Sequence, residues 1–289
     1  MTDLRQDLHI TDEMRADFER DGFIILRDFF DLAASIEPIQ QGIHSIIGRV
    51  LERAGMDDQR GAFDPAHFDE YYQAIIAKDR SLGGLVYDAV KQIPAFMRLC
   101  AHPDLETLFR ALRPGSLPGL AAGGYGIRID NPNEERFRAP WHQEYPAQLR
   151  SLNGLVYWAP LVEVTELIGP VKIAIGSHKG GPIPVYTKDP NNPEKAGAYA
   201  LILQDEASLV ARYEQAAPLT RPGDLVVMDF LVLHASGRNV GDRSRWSMQL
   251  RYFDFNEPTG TRYGWKGSFA SGVDFATIHP ELVLDGTPS

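Results

Sequence analysis

From Gly115 onward the chain runs in short apolar segments separated by turn residues, and this texture restricts the fold more than any other feature. Leu155-Val156-Tyr157-Trp158 is one segment, and Val171, Ile173 and Ile175 alternate in a second. Leu225-Val226-Val227-Met228 is a third, launched by Pro222-Gly223-Asp224. Ser247 to Phe255 is a fourth, with Met248, Leu250 and Tyr252 on one face. Such runs read as strands, because successive side chains of an extended chain point to opposite sides. Many short strands close into a sandwich or barrel, and 26 glycines and 20 prolines supply the turns. The expected fold is mainly β with flanking helices (α+β), built on a double-stranded β-helix of the jelly-roll, cupin-like kind.

Before Gly115 the spacing is mostly helical. Thr11 is placed to cap a short helix holding Met14 and Phe18, and Gly22 to stop it. Phe23-Ile24-Ile25-Leu26 then reads as a buried strand, and residues 31–55 carry apolar positions at mixed helical spacing. Leu105, Leu108, Phe109 and Leu112 follow the i, i+3, i+4, i+7 pattern of one helix face behind Pro103-Asp104. That helix should end at Arg113-Pro114-Gly115. There is no internal repeat. One domain is expected over residues 1–289: a helical part to about 115, a jelly-roll core over about 116–256 and a C-terminal extension over 257–289. The polar stretch from Gly180 to Asn192, with Pro182, Pro184 and Pro190, reads as a surface excursion that could serve as a lid.

The formal net charge of -10 argues against a general binder of nucleic acid or anionic membrane. No stretch approaches the length of a membrane span, and the polar start Met1-Thr2-Asp3-Leu4-Arg5 is not a signal peptide. Cys100 is the only cysteine, so no intrachain disulfide forms. Its apolar setting predicts a buried, inert thiol. A cytoplasmic location follows.

Chemistry concentrates in Trp141-His142-Gln143-Glu144-Tyr145-Pro146. On an extended backbone His142 and Glu144 point to the same side and can take neighbouring positions on one metal ion. A third ligand must come from elsewhere. His234 is the best candidate, at the end of the run Leu225–Leu233. Two histidines and one carboxylate on one face leave the opposite face open, the arrangement of non-haem iron(II) oxygenases. Downstream, Arg243-Ser244-Arg245-Trp246-Ser247 offers a guanidinium and a hydroxyl on one strand face, suited to a carboxylate. Parity puts Arg243 on that face as well, so spacing does not choose between the two arginines.

These pieces together resemble the phytanoyl-CoA dioxygenase family of iron(II)/2-oxoglutarate oxygenases, from about Asp21 to Phe253. Asp21-Gly22-Phe23-Ile24-Ile25-Leu26-Arg27-Asp28-Phe29 is similar to the family's opening strand. Trp141-His142-Gln143-Glu144 is similar to its metal motif, and Gly169-Pro170 with Ile175-Gly176-Ser177-His178-Lys179 to a further conserved stretch. Pro222-Gly223-Asp224 through His234-Ala235-Ser236-Gly237 is similar to its distal-histidine strand. The resemblance implies an enzyme that uses iron(II), 2-oxoglutarate and dioxygen, with His142, Glu144 and His234 as catalytic metal ligands. It places Arg245, eleven residues after His234, on the cosubstrate, with Ser236 and Trp158 as further contacts; Ser247 joins them by sharing a strand face with Arg245. The chain departs from the family in one respect: Glu144 stands where Asp is usual. A retained carboxylate favours hydroxylation or a related oxidation over halogenation.

Gln143, Tyr145 and Arg128 are the candidate substrate contacts. Arg128, Arg136, Arg138, Arg150 and Arg251 suggest a pocket for an anionic small molecule inside an acidic protein. His178 reads as a turn residue, His102 as a helix-entry residue, and His9, His44, His67 and His279 have no constellation around them. Two other readings of the same fold compete. One is a catalytically silent jelly-roll protein that binds a metal or metabolite; the other is a cupin-like, non-oxidative metalloenzyme.

Overall fold

The computed structural model describes residues 10–189, 200–267 and 275–284. Six helices build most of the described N-terminal part, with one strand between the first two. α1 is Asp12–Asp21, α2 Glu37–Arg53, α3 Tyr72–Lys78, α4 Arg80–Val90, α5 Pro94–Cys100 and α6 Pro103–Leu112. Their ends follow the sequence signals. The Thr11 hydroxyl accepts from the Met14 amide, and Gly22 closes α1 with φ of 81°. A Cβ at Gly22 would also collide with the ring of His178, whose Nε2 meets the Glu19 carbonyl at 3.2 Å. His178 is thus a packing residue against α1. His102 caps α6 by accepting from the Asp104 amide. Cys100 is buried, and burial pushes its thiol up to about 12.

Eleven strands follow among the described residues: β1 Phe23–Leu26, β2 Pro118–Leu120, β3 Gly126–Asp130, β4 Leu155–Pro160, β5 Val171–Ala174, β6 Val185–Tyr186, β7 Ile202–Leu203, β8 Gln215–Ala216, β9 Leu225–Asp229, β10 His234–Ser236 and β11 Arg245–Asp254. The large sheet runs β1-β9-β4-β11-β2, with β3 also on β11; a second sheet runs β10-β5-β8, and β6 pairs with β7. Every pairing within these sheets is antiparallel. This is the jelly-roll-type mixture of helices and antiparallel sheets that the sequence texture predicts, without closing into a full barrel.

Alternation divides the large sheet into two faces. Leu155, Tyr157, Leu225, Val227, Met248 and Leu250 join the helices in one buried core. Val156, Trp158, Val226 and Met228 turn the other way, toward Ile173 of the second sheet and Leu233 just before it. Both faces of β4 and β9 are covered, which explains why their sequences read as continuous apolar runs rather than alternating ones.

Two expectations are corrected here. The run Leu225–Leu233 is not one strand: β9 stops at Asp229, whose carboxylate accepts from the Leu231 amide at 2.7 Å. The chain turns there and crosses to the second sheet, where β10 begins at His234. The stretch from Gly180 is not wholly a surface excursion, because Val185 and Tyr186 are buried and paired with β7. Residues 190–192 of the expected lid lie outside the described residues.

Candidate metal centre and its cavity

The backbone brings the two histidines together. His142 and His234 form an isolated antiparallel bridge, each amide donating to the other's carbonyl at 3.0 Å. Their rings consequently lie 4.3 Å apart between centroids. Each ring is oriented by its own backbone. His142 Nδ1 donates to the Pro140 carbonyl at 2.8 Å, and His234 Nδ1 to the Val232 carbonyl at 3.0 Å. A carbonyl can only accept, so both Nδ1 atoms carry the proton and both Nε2 atoms keep a free lone pair.

Glu144 arrives by a route the sequence did not suggest. It is not on an extended segment: its φ and ψ of -71° and -34° place it at the entry of a one-turn helix, Tyr145–Gln148. The chain turns into that helix directly after the bridge, and the carboxylate folds back to 3.8 Å from His234 Nε2. Ligand atoms of His142, Glu144 and His234 all lie within 4.8 Å of one another.

The electrostatics suit a metal ion. Burial, with the His142 imidazole close beside it, lowers His234 to about 3. Burial likewise lowers His142. Both imidazoles are neutral and free to ligate. Burial alone would raise Glu144, but the Arg251 guanidinium and the two histidines outweigh it and hold the carboxyl at about 2. Arg251 forks the carboxylate, Nε to Oε1 at 3.1 Å and Nη2 to Oε2 at 3.3 Å.

The three groups form part of the wall of a cavity of about 700 Å³. Arg245, Ser236, Trp158, Arg128 and Arg251 also line it. Arg245 is 1% exposed. Its Nη2 donates to Asp130 at 2.7 Å and to the Ser236 hydroxyl at 3.0 Å, and Nη1 to the Gly169 carbonyl. Among the described residues its Nε is buried without a partner, as is the hydroxyl of Ser247. Asp130 also holds Arg128, whose Nε lies 2.9 Å from it. Burial would raise the Asp130 carboxyl, but the two guanidinium charges bring it below the usual range. Trp158 faces the cavity, whereas Tyr157 on the opposite face donates its hydroxyl to the Leu105 carbonyl.

Other expected contacts lie elsewhere. Arg243 precedes β11 in a turn, so strand parity does not reach it; it pairs with Asp69 at 2.7 Å over the Phe68 ring. The Gln143 amide does not face the cavity. It donates to the carbonyls of Gly181 and Leu231 and accepts from the Ile183 amide, pinning two loops together. Tyr145 is fully buried, its hydroxyl 2.6 Å from His279 Nε2, and His279 Nδ1 lies 2.8 Å from Glu281. His279, read as isolated from sequence, thus belongs to a chain of contacts running from the buried Tyr145 to the exposed Glu281. The roles of Arg251 and Asp130 were also missed. Arg251 stands six residues after Arg245 on the same strand face, a signal that alternation offers; Asp130 has no comparable signal.

Known proteins with related structures share this architecture. The carbocyclase SnoK from nogalamycin biosynthesis, described as non-heme and alpha ketoglutarate dependent, is 15% identical, with a TM-score of 0.53 over 85% of this chain and 84% of its own. EctD from S. alaskensis, solved with 2-oxoglutarate and 5-hydroxyectoine, is 19% identical, with a TM-score of 0.55 over 88% of this chain and 80% of its own. The epimerase SnoN from the same nogalamycin system is 19% identical, with a TM-score of 0.52 over 96% and 94%. No curated protein sequence matches the chain significantly. At these identities the structural likeness speaks for the fold alone. The family assignment rests on the sequence itself: the phytanoyl-CoA dioxygenase (PhyH) family matches residues 18–247, a span that contains His142, Glu144 and His234 and most of the cavity wall, and the chain belongs to that family.

Proposed function

We propose that the protein is an iron(II)/2-oxoglutarate-dependent dioxygenase that hydroxylates, or otherwise oxidises, a small anionic organic substrate with release of succinate and CO2. The observation that carries this reading is the pairing of two features on one cavity wall. His142, Glu144 and His234 converge there, and the buried guanidinium of Arg245, whose Nε has no partner among the described residues, lines the same cavity.

The donor set fits the groups. Two neutral imidazoles and one carboxylate suit iron(II). Arg245 and the Ser236 hydroxyl would hold the far carboxylate of 2-oxoglutarate, with the unpaired Ser247 hydroxyl on the same strand face and Trp158 as a wall. Iron and 2-oxoglutarate, when bound, supply the oxidising chemistry. The protein's own part is orientation and dryness. Carbonyls fix both imidazole rings, and the buried Val156, Trp158, Val171 and Met228 give the centre an apolar flank. Arg128 lines the cavity and supports an anionic substrate. Helices and sheet share one buried core, which favours a single oxygenase domain over 1–289. Among the described residues no helix is long and apolar enough to cross a membrane. The lone buried Cys100 accords with a reducing, cytoplasmic setting.

Succinate should form from 2-oxoglutarate on addition of iron(II) under air, and His142→Ala should abolish it. A protein that binds iron and 2-oxoglutarate yet forms no succinate, even uncoupled, would sink the oxygenase reading. It would favour the second one, a silent metal-binding jelly roll. The tie between Glu144 and Arg251 is the observation on that side, because the carboxylate already has a partner.

A further inference from the structure

Glu144 is held from behind by the protein itself. A carboxylate offers about four lone-pair directions, two on each oxygen. Oε1 uses both of its own: Arg251 Nε donates at 3.1 Å and Gln148 Nε2 at 3.2 Å. Oε2 receives Arg251 Nη2 at 3.3 Å. One direction remains, on Oε2, the oxygen 3.8 Å from His234 Nε2.

The support is itself supported. Gln148 turns its amide nitrogen toward Glu144 because its Oε1 accepts from Arg150 Nη1 at 3.1 Å. Arg150 is in turn fixed by the Ala122 carbonyl at 2.6 Å. On the other flank, Arg251 Nη2 also donates to Gln249 Oε1 at 2.8 Å. The whole array is built around a side chain with one more rotatable bond than aspartate. Left free, that side chain could present either oxygen or both.

We propose that Arg251 is a positioning residue of the metal centre. Together with Gln148 it restricts Glu144 to ligation through Oε2 alone, and it sets a guanidinium in competition with the metal for the same carboxylate. The inference rests on the metal-binding reading above. With Glu144 ionised, direct repulsion sets the sign: a cation beside the ligand repels a dication in a buried setting, so Arg251 makes the metal bind more loosely. In exchange it leaves more of the coordination sphere open to cosubstrate and substrate.

Anaerobic titration of the metal-free, full-length protein with Co(II) tests this. Difference infrared spectra would accompany it, with Glu144→Gln identifying the carboxylate bands. Wild type should show the wide separation between antisymmetric and symmetric carboxylate stretches that marks one-oxygen ligation. Arg251→Gln should bind Co(II) about tenfold more tightly, because the nearby positive charge is gone, and its band separation should narrow toward two-oxygen ligation. Arg251→Lys, which keeps the charge but not the fork, should keep near-wild-type affinity while the bands narrow. Should Arg251→Gln fail to fold, Gln148→Leu frees one lone-pair direction of Oε1 without removing the guanidinium and carries the same infrared expectation. Unchanged or weaker Co(II) binding by a folded Arg251→Gln protein, or bands at the wild-type separation in all these variants, overturns the proposal. A wild-type protein that binds no Co(II) at all refutes the metal-binding reading itself.

Discussion

On one side of β11, Trp246, Met248, Leu250 and Tyr252 enter the core shared with the helices. On the other side, Arg245, Gln249 and Arg251 line the cavity, and Ser247 lies between them, fully buried. The same ten residues therefore serve two environments, sorted only by the period of two. The apolar face is generic, since several large side chains would fill it. The polar face is specific, because each buried donor needs a partner and the partners come from distant segments: Asp130 on β3, Ser236 on β10 and Glu144 before the one-turn helix. Under the proposed function, stability is concentrated on one face and ligand recognition on the other.

The largest effect is expected where that separation is easiest to break. Trp246 is fully buried, packs edge-on against Tyr72 at 5.0 Å and Phe68 at 5.8 Å, and donates its indole N–H to Asp69. Trp246→Ala should cost about 3–5 kcal/mol of unfolding free energy in urea denaturation. Asp69 keeps Arg243 as a partner, so no orphaned charge adds to the loss. Co(II) affinity of the remaining folded protein should not change. If metal binding falls together with stability, the two faces are coupled and the comparison fails.

The mirror experiment is Arg245→Gln. It removes the guanidinium from the polar face but leaves the opposite face untouched, and Asp130 retains Arg128. If Arg245 holds the far carboxylate of 2-oxoglutarate, truncating a buried charged partner should weaken cosubstrate binding by about 2 kcal/mol or more, roughly 30-fold. Calorimetric titration of the Co(II)-loaded protein reads this directly. An unchanged 2-oxoglutarate affinity would remove Arg245 from the cosubstrate site, whatever happened to stability.

How much of this was legible in the sequence follows from which interactions are local. Strand alternation on β11, the cap of α1 and the stop at Gly22 depend on neighbours within a few residues, and they read correctly. The pairing of His142 with Glu144 was found for the wrong reason. Alternation was assumed where the chain makes a bridge and then a helical turn. That turn also explains Gln143 and Tyr145, proposed as substrate contacts but directed into loop and core packing. The His142–His234 register joins segments 92 positions apart and leaves no periodic trace. Arg251 and Glu144 are separated by 107. Long-range polar partnerships of this kind are set by the sheet's register, which composition and spacing do not encode.

Ser247 gives the smallest and sharpest test of the polar face. Its hydroxyl is buried without a partner among the described residues, between two side chains that line the cavity. A buried, unpaired hydroxyl costs about 1–3 kcal/mol, so Ser247→Ala should leave the cosubstrate-free protein as stable as wild type or up to about 1 kcal/mol more stable. If the hydroxyl instead waits for a ligand, the same substitution should weaken 2-oxoglutarate binding by about fivefold, the value of one ordinary hydrogen bond. The two readouts move independently. Raised stability with unchanged 2-oxoglutarate affinity would make Ser247 a packing residue and leave recognition on this face to Arg245 and Ser236. Weaker binding without loss of stability would extend the division between the two faces of β11 to a single hydroxyl group.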